Sequence, residues 1–161
     1  MMHKLLLLLT TVLSLLLVIP LSAQVQVGDD IVGATNNEFS GSAISLSADG
    51  TRIAVGAHGN SEVDFRTGYV RVFEWNGEAW LRIGSAIYGE ENQEFLGTAV
   101  ALSADGNRLA VGASAHDGNG VASGRVQIYD WDGIDWVQVG NDIFGESSAD
   151  RSGGAIALSA D

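Results

Sequence analysis

The chain has 161 residues, with 8 Lys and Arg against 20 Asp and Glu, a formal net charge of −12, 21 glycines, one proline and no cysteine. Without thiols there is no disulfide framework and no Cys-ligated zinc or iron–sulfur site. So acidic a balance also excludes a basic face for neutralising phosphates, and nucleic acid with it.

The first segment reads as an address. Met1 to Lys4 carry a short positive start, residues 5–19 are apolar apart from Thr10, Thr11 and Ser14, and Pro20-Leu21-Ser22-Ala23 follow. That order of charged, apolar and small residues predicts a secretory signal peptide over 1–23. An uncleaved anchor is the alternative, but the apolar run falls short of the ~20 residues of a spanning helix. The expectation is therefore an exported chain, secreted or at the cell surface, with no membrane span after cleavage. Lys4 is the only lysine, so residues 24–161 hold seven arginines and twenty carboxylates, a net of −13. A core without disulfides must come from packing alone.

The remainder is organised by one period. Leu46-Ser47-Ala48-Asp49 returns as Leu102-Ser103-Ala104-Asp105, and the same step leads on to Leu158-Ser159-Ala160-Asp161. Residues 29–84 laid on 85–140 without a gap give 23 identities in 56 positions, among them Gly56/Gly112, Trp75/Trp131 and Trp80/Trp136. Such a period is the mark of a repeat architecture.

Within the first period, 42–47 alternates small and apolar residues and predicts a strand. Asp49-Gly50 predicts a tight turn, since both residues tolerate positive φ. Residues 53–57 form a continuous apolar run with small side chains, a strand buried on both faces. A polar loop at 58–67 leads to a strand at 69–75, with Val70 and Val72 on one face. Asn76-Gly77 turns the chain again, and 79–83 closes the unit. Four hairpin-joined strands per period describe a β-propeller blade. Ala, Gly and Ser suit the crowded inner strands, and Trp, Tyr and Phe the wider outer ones. A β-solenoid is the structural alternative, with shorter and less aromatic rungs.

The predicted fold is thus all-β: β-propeller blades of four antiparallel strands, incomplete, at about two and a third repeats of this period. The organisation is an orphan outer strand at 24–28, a blade at 29–84, a blade at 85–140 and a partial blade at 141–161. The orphan strand is inferred because Val25-Gln26-Val27-Gly28 matches Val137-Gln138-Val139-Gly140. Closed propellers have four to eight blades, so closure is expected to need further blades or self-assembly.

Phe39-Ser40-Gly41-Ser42-Ala43-Ile44 and Phe95-Leu96-Gly97-Thr98-Ala99-Val100, each followed by Val55-Gly56-Ala57-His58 or Val111-Gly112-Ala113-Ser114, resemble the FG-GAP repeat of integrin-α-type and bacterial exported propellers. The resemblance spans nearly all of 29–161 and implies a propeller used for extracellular recognition. Three departures stand out. One residue separates Phe from Gly, with Arg151 at the Phe position of the third copy; His58 and Ser114 replace the proline; and the family's calcium loop is reduced to Ser47-Ala48-Asp49-Gly50-Thr51-Arg52. One carboxylate beside an arginine is a poor cage for calcium, so calcium is not carried over and no cofactor is expected.

For chemistry the inventory is short. Asn60, Glu62 and Asp64 in the first long loop, and His116, Asp117 and Asn119 in the second, are the only candidate metal ligands, against the plainer reading of a solvated turn. Glu90, Glu91 and Glu94 read as a solvated charge run rather than an acid–base pair, and Gly118-Asn119-Gly120 as a turn. No H-E-x-x-H, G-x-S-x-G or phosphate loop is present, so no catalytic residue is assigned. The repeated tryptophans predict wedges at the outer edge rather than a sugar-stacking platform. The function these features imply is non-enzymatic recognition or adhesion of a protein or glycan, as part of a larger protein. The alternatives are the propeller portion of an enzyme whose catalytic residues lie elsewhere, and a structural spacer.

Overall fold

The computed structural model describes residues 25–159; the leader assigned to 1–23 and the last two residues of the third Leu-Ser-Ala-Asp copy lie outside them. The described residues form strands, turns and loops, with no helix long and apolar enough to cross a membrane. The first antiparallel sheet runs in the order β1 (Ala43–Leu46), β2 (Arg52–Ala57), β3 (Tyr69–Trp75), β4 (Trp80–Tyr88). The second repeats it with β5 (Leu96–Leu102), β6 (Arg108–Ala113), β7 (Arg125–Trp131) and β8 (Trp136–Gln138), while β9 (Ile143–Phe144) pairs with β7 further along. Two meandering sheets packed face to face make an incomplete β-propeller.

The structure differs from the sequence reading at four places. The outer strand of the first blade runs to Tyr88 rather than stopping near 83, carrying a bulge between Val70 and Val72 on its partner. In the second blade it breaks into β8 and β9, although the pairing Val70↔Ile87 is preserved one period later as Val126↔Ile143. Residues 141–144 therefore complete the second sheet instead of opening a third. The orphan outer strand is not a strand over 25–28: Gly28 rests against the Trp75 and Trp80 rings, and Trp80 Nε1 donates to the Val27 carbonyl at 3.3 Å. Residues 155–159 form no strand either, because a first strand needs its second as hydrogen-bonding partner and none stands beside it among the described residues.

The Ser-Ala-Asp-Gly turns show why that tetrapeptide recurs. Asp105 Oδ1 accepts from Ser103 Oγ at 2.6 Å and from the Asn107 N–H at 3.0 Å, and Ser103 Oγ accepts the Arg108 N–H at 2.9 Å. Asp49, Ser47, Thr51 and Arg52 repeat the relay. The Ser103 hydroxyl and the Asn107 bonds hold the Asp105 carboxyl down at about 2. A depressed carboxylate contributes stability that is present above its unfolded value and lost as pH falls through its folded one. Asp105→Asn is therefore expected to lower the melting temperature at pH 6, with the gap to wild type closing between about pH 4 and pH 2. A gap that stays constant across that window in pH-resolved thermal melts rules the relay out.

The core lies between the sheets. The register aligns Ala43, Gly56, Val70 and Ile87 in one cross-strand row and Ser45, Ala54, Val72 and Ile83 in the next. These rows pack on Val100, Leu102, Leu109, Val111 and Tyr129 of the second sheet. Small residues are required where the sheets approach most closely: a Cβ on Gly56 would lie 2.3 Å from the Gly97 carbonyl oxygen. The Gly of one F-x-G motif thus abuts the Gly of the preceding V-G-A motif. Around this contact, the Leu102 N–H donates to Ser45 Oγ at 2.9 Å, the Ala48 N–H to the Ala104 carbonyl at 2.8 Å, and Arg52 Nη1 to Asn107 Oδ1 at 2.7 Å.

A second join is entirely main-chain. The N–H groups of Gln93, Phe95 and Leu96 donate to the carbonyls of Phe65, Arg66 and Thr67, and those of Ala149, Arg151 and Ser152 do the same to Val121, Ala122 and Ser123. Phe39, Phe95 and Arg151 all have φ between 54° and 58°. The Phe position of the motif is therefore held by a left-handed backbone rather than by an aromatic ring, which is why Arg151 fits there.

Candidate recognition surface

The long loops gather at one end of the sheets, and a buried carboxylate folds each of them. Glu38 accepts the N–H groups of Ala34 and Thr35 at 2.7 and 3.0 Å, Asn60 Nδ2 at 2.9 Å and the Tyr69 hydroxyl at 2.8 Å. Burial alone would raise this carboxyl, but the bonds from Tyr69, Asn60 and Thr35 outweigh it and hold the pKa below the usual range. Glu94, one period on, accepts the N–H groups of Glu90 and Glu91 at 2.9 Å each. The acidic trio is thus not a solvated run. Glu94 is fully buried, and only Glu90 and Glu91 face water.

What answers Glu94 is Arg125, at the Tyr69 position of the repeat. Arg125 Nη2 donates to Glu94 at 2.6 Å, and its Nη1 to Asp142 at 2.8 Å and Glu90 at 3.5 Å. Gln127 and Gln138 donate to Asp142 in turn. Burial pushes the neighbouring Tyr129 phenol up to about 12. The first blade solves the same problem differently: Arg71 lies 4.1 Å over the Tyr69 ring and pairs with Glu62, which also accepts the Tyr88 hydroxyl. Both clusters are polar networks joining strands to loops, in which Arg71 Nε, Arg125 Nε and Gln127 Oε1 are buried without a hydrogen-bond partner among the described residues.

The candidate metal ligands are not brought together. Asn60 is buried, its Nδ2 on Glu38 and its Oδ1 taking the Glu62 N–H. Glu62 is engaged by Arg71 and Tyr88, and Asp64 caps the Phe65 N–H. Asp117 accepts the Ala122 N–H, Asn119 donates to the Gly145 carbonyl, and His116 Nδ1 accepts the Gly118 N–H. Among the described residues no three His, Asp or Glu side chains gather around a common point.

One contact was invisible in the sequence. Ser42 Oγ lies 2.8 Å from His58 Nδ1, and burial followed by the Arg66 charge holds this imidazole below its usual pKa. The His58 ring stacks on Phe39 at 5.3 Å and meets the edge of Phe95 at 6.1 Å. No carboxylate orients it, and in the next repeat the pair is simply Thr98 with Ser114. It is a tie between the F-x-G loop and the end of β2, not a nucleophile with its base. The tryptophans occupy the outer edge in pairs, Trp75 with Trp80 and Trp131 with Trp136. Gly84 of the first blade sits against the second pair, so these rings wedge neighbouring segments.

An open cleft of about 610 Å³ lies between 35–39 and 59–66. Phe39 and Phe65 expose more than half their surface there, beside Asn36, Asn37 and Glu62. Arg66 reaches over the Phe65 ring at 5.2 Å and has no carboxylate partner among the described residues. At the equivalent place in the second blade Val121 and Ala122 stand for Phe65 and Arg66, so the chemistry of this cleft belongs to one repeat and not to the architecture.

No family model matches the chain. No curated protein matches it either.

Proposed function

We propose that the chain is an exported, non-enzymatic recognition module of FG-GAP type, and that the cleft of the first blade is where it takes its ligand. The observation that carries this reading is the convergence of exposed Phe39 and Phe65, the Arg66 guanidinium, which has no carboxylate partner among the described residues, and the Asn36 and Asn37 amides on one open concavity. Apolar faces with a few placed polar groups are what a glycan or a short protein segment requires. The Glu62 carboxylate, fixed by Arg71 and Tyr88, offers an oriented acceptor for a ligand hydroxyl or N–H. The test is a glycan and protein array probed with wild type, Phe65→Ala and Arg66→Ala. Each substitution is expected to weaken binding at least about tenfold while leaving the melting temperature within a degree or two. Hits retained in full by both variants place recognition elsewhere and overturn the assignment of this cleft.

A further inference from the structure

Two Asn-Gly pairs stand in the sequence, Asn76-Gly77 and Asn119-Gly120, and both asparagines are exposed. A glycine leaves its main-chain nitrogen uncrowded, so that nitrogen can attack the preceding side-chain amide. The peptide proton passes to base, an N–Cγ bond forms, and the Cγ–Nδ2 bond breaks as the amide nitrogen takes a proton and leaves as ammonia. Water then opens the cyclic imide to an aspartyl or an isoaspartyl residue. Asparagine and water have become a carboxylic acid and ammonia, with no oxidant or reductant involved.

The fold holds the two pairs in opposite ways. Asn76 Oδ1 accepts the N–H groups of Glu78 and Ala79 at 2.9 and 2.8 Å. Those donors lie where negative charge develops as the amide carbon becomes tetrahedral, the arrangement of an oxyanion hole. The attacking Gly77 N–H donates to no group among the described residues, and neither does Asn76 Nδ2, the leaving nitrogen. At the second pair the nucleophile and the leaving group are the atoms restrained. The Gly120 N–H donates to the Asp117 carbonyl at 3.2 Å, and Asn119 Nδ2 donates to the Gly145 carbonyl at 3.0 Å.

The repeat also displays the aspartyl product in place. One period on, the same turn is Asp132-Gly133, and Asp132 Oδ1 accepts the N–H groups of Ile134 and Asp135 at 2.7 and 2.8 Å. Gly77 and Gly133 share φ values of 97° and 99°, with open space around both. The N–H groups of Asp135 and Ile134 hold the Asp132 carboxyl below its usual range, so the turn favours the charged form.

We propose that Asn76 is a site of spontaneous deamidation, converting ahead of Asn119 in the folded chain, and that its turn retains the aspartyl product. The first blade thereby acquires the turn chemistry of the second, together with one further negative charge.

The test is peptide mapping by mass spectrometry of the full chain aged at pH 8 and 37 °C, with and without 8 M urea, beside thermal melts of Asn76→Asp. In the folded chain Asn76 is expected to convert several-fold faster than Asn119, and in urea the two rates should converge. Asn76→Asp should melt within about two degrees of wild type. Conversion of Asn76 no faster than that of Asn119 in the folded chain overturns the proposal. So does a lead that survives urea undiminished, since it then belongs to the flanking residues and not to the turn. An Asn76→Asp variant that melts many degrees lower overturns the retention of the aspartyl product.

Discussion

Arg125→Ala is expected to destabilise the second blade by about 3–5 kcal/mol, because it strands Glu94, a fully buried carboxylate, without its cation. The same substitution removes the bond to Asp142 and so frees the short β9 segment that pairs with β7 through Arg125 and Val126. A fall in melting temperature of roughly 10–15 °C is the corresponding reading. Arg125→Tyr is the informative control. It installs the first blade's arrangement, in which a phenol hydroxyl serves the buried carboxylate, and should recover part of the loss. A calorimetric loss below about 1 kcal/mol for the alanine variant would show that Glu94 finds solvent instead.

Gly56→Val is expected to cost about 3 kcal/mol by a different route. The added Cβ lies 2.3 Å from the Gly97 carbonyl oxygen, a main-chain atom that cannot rotate away, so one sheet must lift from the other. Gly77→Asn, at a turn with open space around the Cβ position and φ of 97°, is the matched control and should cost less than about 1 kcal/mol. Denaturant unfolding distinguishes the two. Equal midpoints for the variants would mean that the sheets are not locked at Gly56.

The blade was legible in the sequence because three independent signals share one period: paired turn residues at Asp49-Gly50 and Asn76-Gly77, small residues in 53–57, and tryptophans at both ends of the outer hairpin. Each is local, and the structure places turns and strands where they point. The outer strand's extension to Tyr88 was not legible, since Ser85 and Ala86 resemble a linker and only the bulge opposite Val70 returns them to register. The candidate site was read poorly for a related reason. Glu94 lies in an acidic run, and what buries it is an arginine 31 residues away on another strand. The Tyr69-to-Arg125 exchange was the available signal: a repeat that changes one member of a buried pair must rematch the other. The Ser42–His58 tie depends on sheet register, which no spacing announces.

The rungs joining Phe65, Arg66 and Thr67 to Gln93, Phe95 and Leu96 are made by peptide groups alone, and they recur one period later beneath Val121, Ala122 and Ser123. Because no side chain takes part in them, the residue identities at these loop tips are uncoupled from the joint they rest on. Phenylalanine and arginine in one repeat and valine and alanine in the next sit on the same scaffold. Such a molecule can change what its rim presents, one repeat at a time, by drift or duplication, while the spacing of its blades is inherited intact.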